Sequence, residues 1–459
     1  MASYDYDVIV IGSGAGGSVA ASQIAKSGKT VAIVEAGALG GQVLNHSCIP
    51  TKALLQAASV YEAAKRGATF GIRASTIGYN YPSVRAWKDT VLRATKKSYS
   101  NEHYQEQGIG IIGGRAYFID PHTISVGKAR FTAKQFIVAT GSELVLPEIA
   151  GLSTAGFVTH KEALDLSRPP KHLAIIGGGE SGVEFAQLFA IFGSKVTLIE
   201  KSPRLINHEI PNASSLLAKR FNKEYGMNIL TDTSVQSVSS IGLKKKLQLQ
   251  RKGKNAQLTV DEIMLATGKR AVIDIGLDNA GVQYSQSQIH TNKFQHTSAK
   301  HIFAVGDCSG PYNYTHTAAY QGQVVAHNIV HPRSPVAAQY HAIPRVLFTN
   351  PQIASTGASE AQLKSGGTPY DSATVPLSVV AASATTGYKD GFITVQSNRT
   401  TGVLLGGTIV CPQASELISE LSLAVQYHMT AQQVAHTVHP FGTWSELLRV
   451  ACAKLAKKG

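Results

Sequence analysis

Asp7-Val8-Ile9-Val10-Ile11-Gly12-Ser13-Gly14-Ala15-Gly16-Gly17 is the stretch whose reading decides the fold. Its apolar half reads as a buried parallel strand. Its glycine half predicts a tight turn, followed by an alanine-rich helix from Ser18 to about Lys26 and a second strand, Thr30–Val34, ending at Glu35. The glycines divide the work. Gly12 permits the turn, Gly14 lets a pyrophosphate approach the backbone, and Gly17 lets helix and strand pack closely. The helix start offers unpaired N–H groups and a positive dipole end to phosphate. Glu35 is placed to accept hydrogen bonds from the ribose hydroxyls of an adenosine half.

The same design recurs. His172-Leu173-Ala174-Ile175-Ile176 reads as a strand and Gly177-Gly178-Gly179-Glu180-Ser181-Gly182 as the loop. A helix is expected from Val183 to about Phe192, then a strand, Lys195–Ile199, ending at Glu200. In each unit the acid stands 23 positions after the first glycine (35 − 12 and 200 − 177). A single glycine-rich turn says little. Two copies, each between strand and helix and each followed by its acid, point to two dinucleotide sites, or to one site and a decayed copy. Gly177, Gly179 and Gly182 take the same roles as the first set.

Composition narrows the class. Of 459 residues 43% are hydrophobic and 16% charged, which suits sizeable buried cores and not a disordered chain. The net charge of +14 is mostly scattered, so a nucleic-acid partner is not expected. One dense run, Lys244-Lys245-Lys246 to Lys254, alternates with Leu247 and Leu249 and reads as an exposed hairpin with a solvated face. Cys48, Cys308, Cys411 and Cys452 have no metal-ligand spacing and make no secreted disulfide framework. No signal peptide or membrane span is read, and a cytoplasmic location is expected.

Three further turns accompany the two units: Ala139-Thr140-Gly141-Ser142, Ala266-Thr267-Gly268, and His301-Ile302-Phe303-Ala304-Val305-Gly306-Asp307. Each alone is a strand leaving a sheet through small residues. Together with the fingerprints the chain resembles, over nearly its whole length, the pyridine nucleotide-disulfide oxidoreductases (glutathione reductase, dihydrolipoamide dehydrogenase, mercuric reductase). The resemblance implies an α/β fold: two Rossmann-like dinucleotide-binding domains and a C-terminal α+β dimerisation domain. It implies a discontinuous FAD domain, 1–148 and 268–337, a nicotinamide domain, 149–267, and an interface domain, 338–459, that makes a homodimer. FAD then contacts Gly12, Gly14, Gly17, Glu35, Lys52, Ala116, Thr140, Gly141, Ser142 and Asp307, with Asp307 on the ribityl chain. The nicotinamide cofactor falls to Gly177, Gly179, Gly182, Glu200 and Gly268. A carboxylate at Glu200 accepts from a 2′-hydroxyl and repels a 2′-phosphate, which favours NADH. Lys201 and Arg204 offset part of that repulsion, so NADPH stays open.

The departure lies in Gly40-Gly41-Gln42-Val43-Leu44-Asn45-His46-Ser47-Cys48-Ile49-Pro50-Thr51-Lys52. The family carries two cysteines here with four residues between them. This chain has Val43 and Cys48, and valine can neither form a disulfide nor attack a substrate. Ser47 also replaces a glycine, and Glu180 stands where many relatives have a tyrosine. Cys48-Ile49-Pro50 reads as a helix start, with Pro50 at the favoured first helical position and Cys48 just outside the N-terminus, where the dipole supports a thiolate. Its bland alternative is a small buried hydrophobe. Lys52 matches a lysine near the flavin that pairs with a glutamate, here Glu184. A surface helix lysine is the plain alternative. His439 matches the histidine base that the partner subunit supplies. Its glutamate normally follows five residues later, whereas Glu446 is seven later in this chain, so the match needs a two-residue insertion.

These residues lead to an enzyme: an FAD-dependent NAD(P)H oxidoreductase passing electrons from NADH through flavin to a small-molecule acceptor (quinone, dye or dioxygen) with no redox disulfide. The alternatives are a dihydrolipoamide dehydrogenase-like or other disulfide reductase in which another thiol serves, a single-cysteine thiol or peroxide reductase working through Cys48, and a flavin-loaded binding subunit without turnover.

Overall fold

The computed structural model describes residues 3–456, which form two compact units. The first comprises the chain to Glu148, Thr159–Arg168 and Thr267–Gln339; the second comprises Ile149–Val158, Pro169–Ala266 and the chain from Tyr340. The segment Thr159–Arg168 lies between stretches of the second unit yet packs with the first. Lys88, almost fully buried, helps hold it there: its ammonium pairs with Asp165 and donates to the Leu164 carbonyl at 3.2 Å.

The first unit is built on a parallel sheet. Its strands are β1 (Tyr6–Ile11), β2 (Val31–Glu35), β3 (Ile109–Gly113), β4 (Ala116–Asp120), β5 (Thr123–Val126) and β6 (Ala129–Val138). The order is β3-β2-β1-β6, with Ile302–Ala304 pairing in parallel on β6 and β4 and β5 forming an antiparallel meander with it. Strand alternation sorts β1 between two cores. Val8 and Val10 join Ile24, Ile33, Phe303 and Val325 under the helices, α1 (Ala15–Ala25) among them. Ile9 and Ile11 face the opposite side, with Val34, Phe118, Phe136 and Ile302. Helix α1 packs on the helix Thr315–Val330 through glycine: a Cβ on Gly322 would meet the Gly16 carbonyl oxygen at 2.4 Å.

The second unit holds a four-stranded parallel sheet, Asn228–Leu230, Lys195–Ile199, His172–Ile176 and Glu262–Leu265 in spatial order. It also holds a three-stranded antiparallel sheet that contains Lys244–Arg251, where Leu247 and Leu249 are buried and Lys244 and Lys246 point to the other face, while Lys245, on the leucines' face, pairs with Glu262. From Arg345 on, five antiparallel strands pack against the helices Ala414–Gln426 and Glu446–Ala456 around one core. Among the described residues no helix is long and apolar enough to cross a membrane.

Both fingerprint helices begin earlier than their sequence pattern predicts, at Ala15 in place of Ser18 and at Glu180 in place of Val183. The glycine turn already carries the first helical bonds: Ser18 N–H donates to Gly14 O at 2.9 Å, and Val183 N–H to Gly179 O at 3.0 Å. The expected strand His301–Asp307 shortens to Ile302–Ala304, because Gly306–Cys308 forms a 3₁₀ turn.

Candidate active site

The two glycine turns are near copies in detail. In the first, a Cβ on Gly12 would lie 2.3 Å from the Ala139 carbonyl oxygen, and one on Gly17 would lie 2.0 Å from that of Gly12. In the second, a Cβ on Gly182 would lie 1.9 Å from Gly177 O. The middle glycines, Gly14 and Gly179, have open space where a Cβ would stand. This is the arrangement a pyrophosphate requires: backbone packed tightly behind the turn and cleared space before a helix N-terminus.

The acids are held in place in the same way. Glu35 Oε2 accepts from Ser13 N–H at 2.8 Å and from its hydroxyl at 2.6 Å, while Oε1 accepts from Gly37 N–H at 2.8 Å. Glu200 accepts from Gly178 N–H at 2.6 Å and Ser202 N–H at 2.7 Å. Each carboxylate keeps lone pairs for ribose hydroxyls. Arg204 is engaged by nearby backbone rather than by Glu200. Its guanidinium donates to the carbonyls of Glu209 and Asn207 at 3.2 and 3.1 Å.

In the first unit the remaining expected residues fall around one chain of bonds. Ser142 donates to Asp307 Oδ2 at 2.5 Å, and the Ser142 carbonyl accepts from Gln42 at 3.2 Å. Gln42 lies in the short helix α2 (Gly41–Asn45) beside Val43, and its Oε1 lies 3.4 Å from His160 Nε2. Burial, then the neighbouring Lys269 and Lys161, push the His160 imidazole down to about 4, so it is neutral at physiological pH. Thr140 donates to the Val272 carbonyl at 2.6 Å. Gly141 and Gly268 adopt φ of +71° and +98°, a region open to glycine. Gly268, expected at the nicotinamide, packs with the first unit and accepts from Val145 N–H at 3.0 Å. Ala116 opens β4 with its methyl in the core.

Cys48 is itself the first residue of helix α3 (Cys48–Lys65), and Pro50 is the third, not the first. Proline is tolerated there because first-turn N–H groups have no intrahelical acceptor. The half-buried Cys48 thiol lies 3.3 Å from the Thr315 hydroxyl. Lys52 follows one turn later on α3 and is half-buried. All four cysteines are free. Cys308 is fully buried, bonded to the Val305 carbonyl at 3.2 Å, and burial pushes its thiol up. Cys411 and Cys452 are likewise pushed up to about 12 by burial.

In the second unit Glu184 is buried and its Oε1 accepts from Phe348 N–H at 2.9 Å. Glu180 lies 3.3 Å from His208, and that bond holds His208 above its ordinary value. His439 and Glu446 are not a pair. His439 Nε2 is 2.8 Å from Glu420, and Nδ1 is 2.8 Å from the Thr437 carbonyl. Glu446 instead accepts from Gly442 N–H at 2.9 Å, which closes the longer loop and starts the last helix. Glu420 carries no motif, and Thr315 is signalled only by the polar run Tyr314-Thr315-His316-Thr317 soon after Asp307. The Thr317 hydroxyl is fully buried and bonded to no protein group, which suits a polar ligand atom.

Comparison with known proteins agrees with this geometry. Residues 6–322 match the family model described as pyridine nucleotide-disulphide oxidoreductase, and residues 343–452 match that family's dimerisation domain. A mercuric reductase of Streptomyces lividans is 33% identical over 97% of this chain and 95% of its own. A mercuric reductase of Staphylococcus aureus is 30% identical over 99% of this chain and 83% of its own. A dihydrolipoyl dehydrogenase of Geobacillus stearothermophilus is 32% identical over 96% and 94%. In fold alone, the chain is similar to the HOCl-induced flavoprotein disulfide reductase RclA from Escherichia coli, with TM-score 0.86, 24% identity, and 98% and 99% of the two chains covered. The family binds FAD and NAD(P)H. The chain, with two glycine turns of matching build and a C-terminal dimerisation domain, belongs to the pyridine nucleotide-disulphide oxidoreductase family of flavin-dependent enzymes.

Proposed function

We propose that this enzyme takes electrons from NADH through FAD and passes them directly to a small acceptor of quinone or dye type, with no redox disulfide. One observation carries the reading. Val43 stands in α2 five residues before Cys48, every other thiol is buried, and none of the four is paired. Bound flavin supplies the two-electron relay between nicotinamide and acceptor. The chain supplies the rest. Gly12, Gly14, Gly17 and Glu35 hold the adenosine and pyrophosphate half, and Asp307, fixed by Ser142, holds the ribityl chain. Lys52, one turn after Cys48 on α3, places positive charge where negative charge develops. Glu200 selects NADH over NADPH, because Arg204 is engaged elsewhere.

On this reading residues 1–148 and 268–337 form the FAD module, 149–267 the nicotinamide module and 338–459 the pairing module of a homodimer. Val438 and Phe441, 93% and 86% exposed within the dimerisation match, support self-association. Four unpaired cysteines suit a reducing, cytoplasmic compartment.

A second reading has its own support: Cys48, at a helix start beside the Thr315 hydroxyl, is placed for single-thiol chemistry in which a peroxide converts the thiolate to a sulfenic acid. Parallel NADH-oxidation assays with a quinone, with lipoamide and with peroxide separate the readings. Turnover with the quinone alone is expected. Turnover with lipoamide contradicts direct transfer, and oxidation with none of the three leaves a binding subunit.

A further inference from the structure

The two glycine turns are near copies, but their helices begin differently. Helix α1 opens on Ala15 and has no acid in its first turn, whereas Glu180 opens the helix Glu180–Ile191. A carboxylate therefore stands at the end where Gly179 leaves space for a diphosphate, and like charges repel there. Its counter-charge is His208, whose Nε2 lies 3.3 Å from Glu180 Oε1.

His208 is presented by a loop fastened to the glycine turn itself. Ile206 N–H donates to Gly178 O at 2.8 Å, and Glu209 N–H to Ile206 O at 2.8 Å. Ile206, a β-branched residue, stands at φ +41°, an uncommon conformation that the surrounding bonds hold. The charged groups facing His208 come from three elements: Glu180 from the helix, Glu209 from its own loop and Arg345 from the strand Arg345–Leu347. Glu209 is buried and already bonded by Arg345 Nε at 3.3 Å and by the Ser355 hydroxyl at 2.5 Å, and it lies 3.8 Å from His208. The bond to Glu180 raises His208, against the opposing effects of burial and Arg345. The His208 side chain is 44% exposed, and among the described residues its Nδ1 has no protein partner.

We propose that His208 is a binding residue for the diphosphate of the nicotinamide cofactor and that Glu180 positions it, the protonated imidazole standing between the helix's carboxylate and the entering phosphates. The protonated ring donates from both nitrogens, one to Glu180 and one to a phosphate oxygen, and the neutral ring can serve only one of them. Bound diphosphate adds negative charge beside His208, so binding strengthens the ring's hold on its proton and takes a proton up from the buffer. Affinity for the cofactor accordingly falls as pH rises through the titration of His208. The inference rests on the second glycine turn being the nicotinamide site and is independent of which acceptor takes the electrons.

The test is titration calorimetry of the FAD-loaded, full-length enzyme with ADP-ribose, which carries the diphosphate and transfers no hydride. It is run in two buffers of different ionisation heat, from about pH 6 to about pH 9. The parent is expected to take up a proton on binding and to bind more weakly as pH rises. His208→Gln is expected to bind about tenfold more weakly at the low end of that range, to take up no proton and to lose the pH dependence. His208→Arg, charged throughout, is expected to bind tightly at every pH, again with no uptake. Glu180→Gln keeps the histidine and is expected to move the fall in affinity to lower pH, toward the ordinary imidazole value of about 6.5. FAD content and melting temperature confirm that each variant is folded. Equal binding by the parent and His208→Gln at every pH overturns the proposal, as does a pH dependence that Glu180→Gln leaves in place. A parent that does not bind ADP-ribose overturns the assignment of the second turn to the nicotinamide cofactor, and the proposal with it.

Discussion

The Cys48 thiol lies 3.3 Å from the Thr315 hydroxyl, and the residue five positions before it is Val43. On the proposed reading the family's redox segment keeps its helix and its second cysteine and lacks the electron-carrying partner of that cysteine. If Cys48 only lines the flavin site, Cys48→Ser keeps NADH oxidation with a quinone or dye acceptor within about threefold, since a serine hydroxyl can meet Thr315 as the thiol does. Steady-state kinetics checks this. Loss of turnover in that variant favours the single-thiol reading.

Val43→Cys places a second thiol five residues before Cys48 in a short helix that is held at both ends. Gln42, its neighbour, is tied to the Ser142 carbonyl, and Asn45 donates to the carbonyls of Leu39 and Gly41 at 3.0 and 2.9 Å. The variant is expected to lose two thiols on air oxidation and to regain them with NADH, as measured by thiol titration in denaturant. Both thiols remaining free after oxidation would show that α2 no longer presents position 43 to Cys48.

Glu200→Ala tests the nicotinamide site. Removing a carboxylate that accepts from a ribose hydroxyl is expected to raise the KM for NADH about tenfold with kcat little changed, a loss of about 1.4 kcal/mol. NADPH is expected to gain relative to NADH, because the repulsion of a 2′-phosphate goes with the charge. An unchanged NADH-to-NADPH ratio contradicts the assignment.

What the sequence made legible was what short-range geometry demands. Gly12, Gly17 and Gly182 stand where a Cβ would strike backbone within 2.3 Å, so their spacing had to be written in the chain. The helix starts were misplaced by three residues because the glycine turns already make helical hydrogen bonds, which side-chain patterning does not reveal. His439 shows the other limit. Its partner Glu420 lies 19 positions upstream and is brought in by packing of the helix Ala414–Gln426, so motif spacing pointed to Glu446 instead. The return of Thr159–Arg168 to the first unit likewise involves contacts that no local pattern marks, Lys88 with Asp165 and Leu164 and His160 with Gln42.

His160 gives a pH signature. Its folded value, held down to about 4 by burial and the nearby lysines, lies below the 6.5 of the free side chain. Between these values the unfolded chain binds a proton that the folded one does not, so stability rises with pH across that window. The contribution, on the order of 3 kcal/mol, is fully present above pH 6.5 and is lost as pH falls through about 4. Melting temperature against pH is expected to fall less steeply from 6.5 to 4 in His160→Gln than in the parent. Parallel curves contradict a neutral buried imidazole.

The central claim, electron transfer without a disulfide, is tested most directly by counting thiols. Purified enzyme is denatured anaerobically and titrated before and after reaction with NADH. Four thiols per chain are expected both times, because all four cysteines are free from the start. A gain of two thiols on adding NADH would mean that a redox disulfide exists after all and would contradict it.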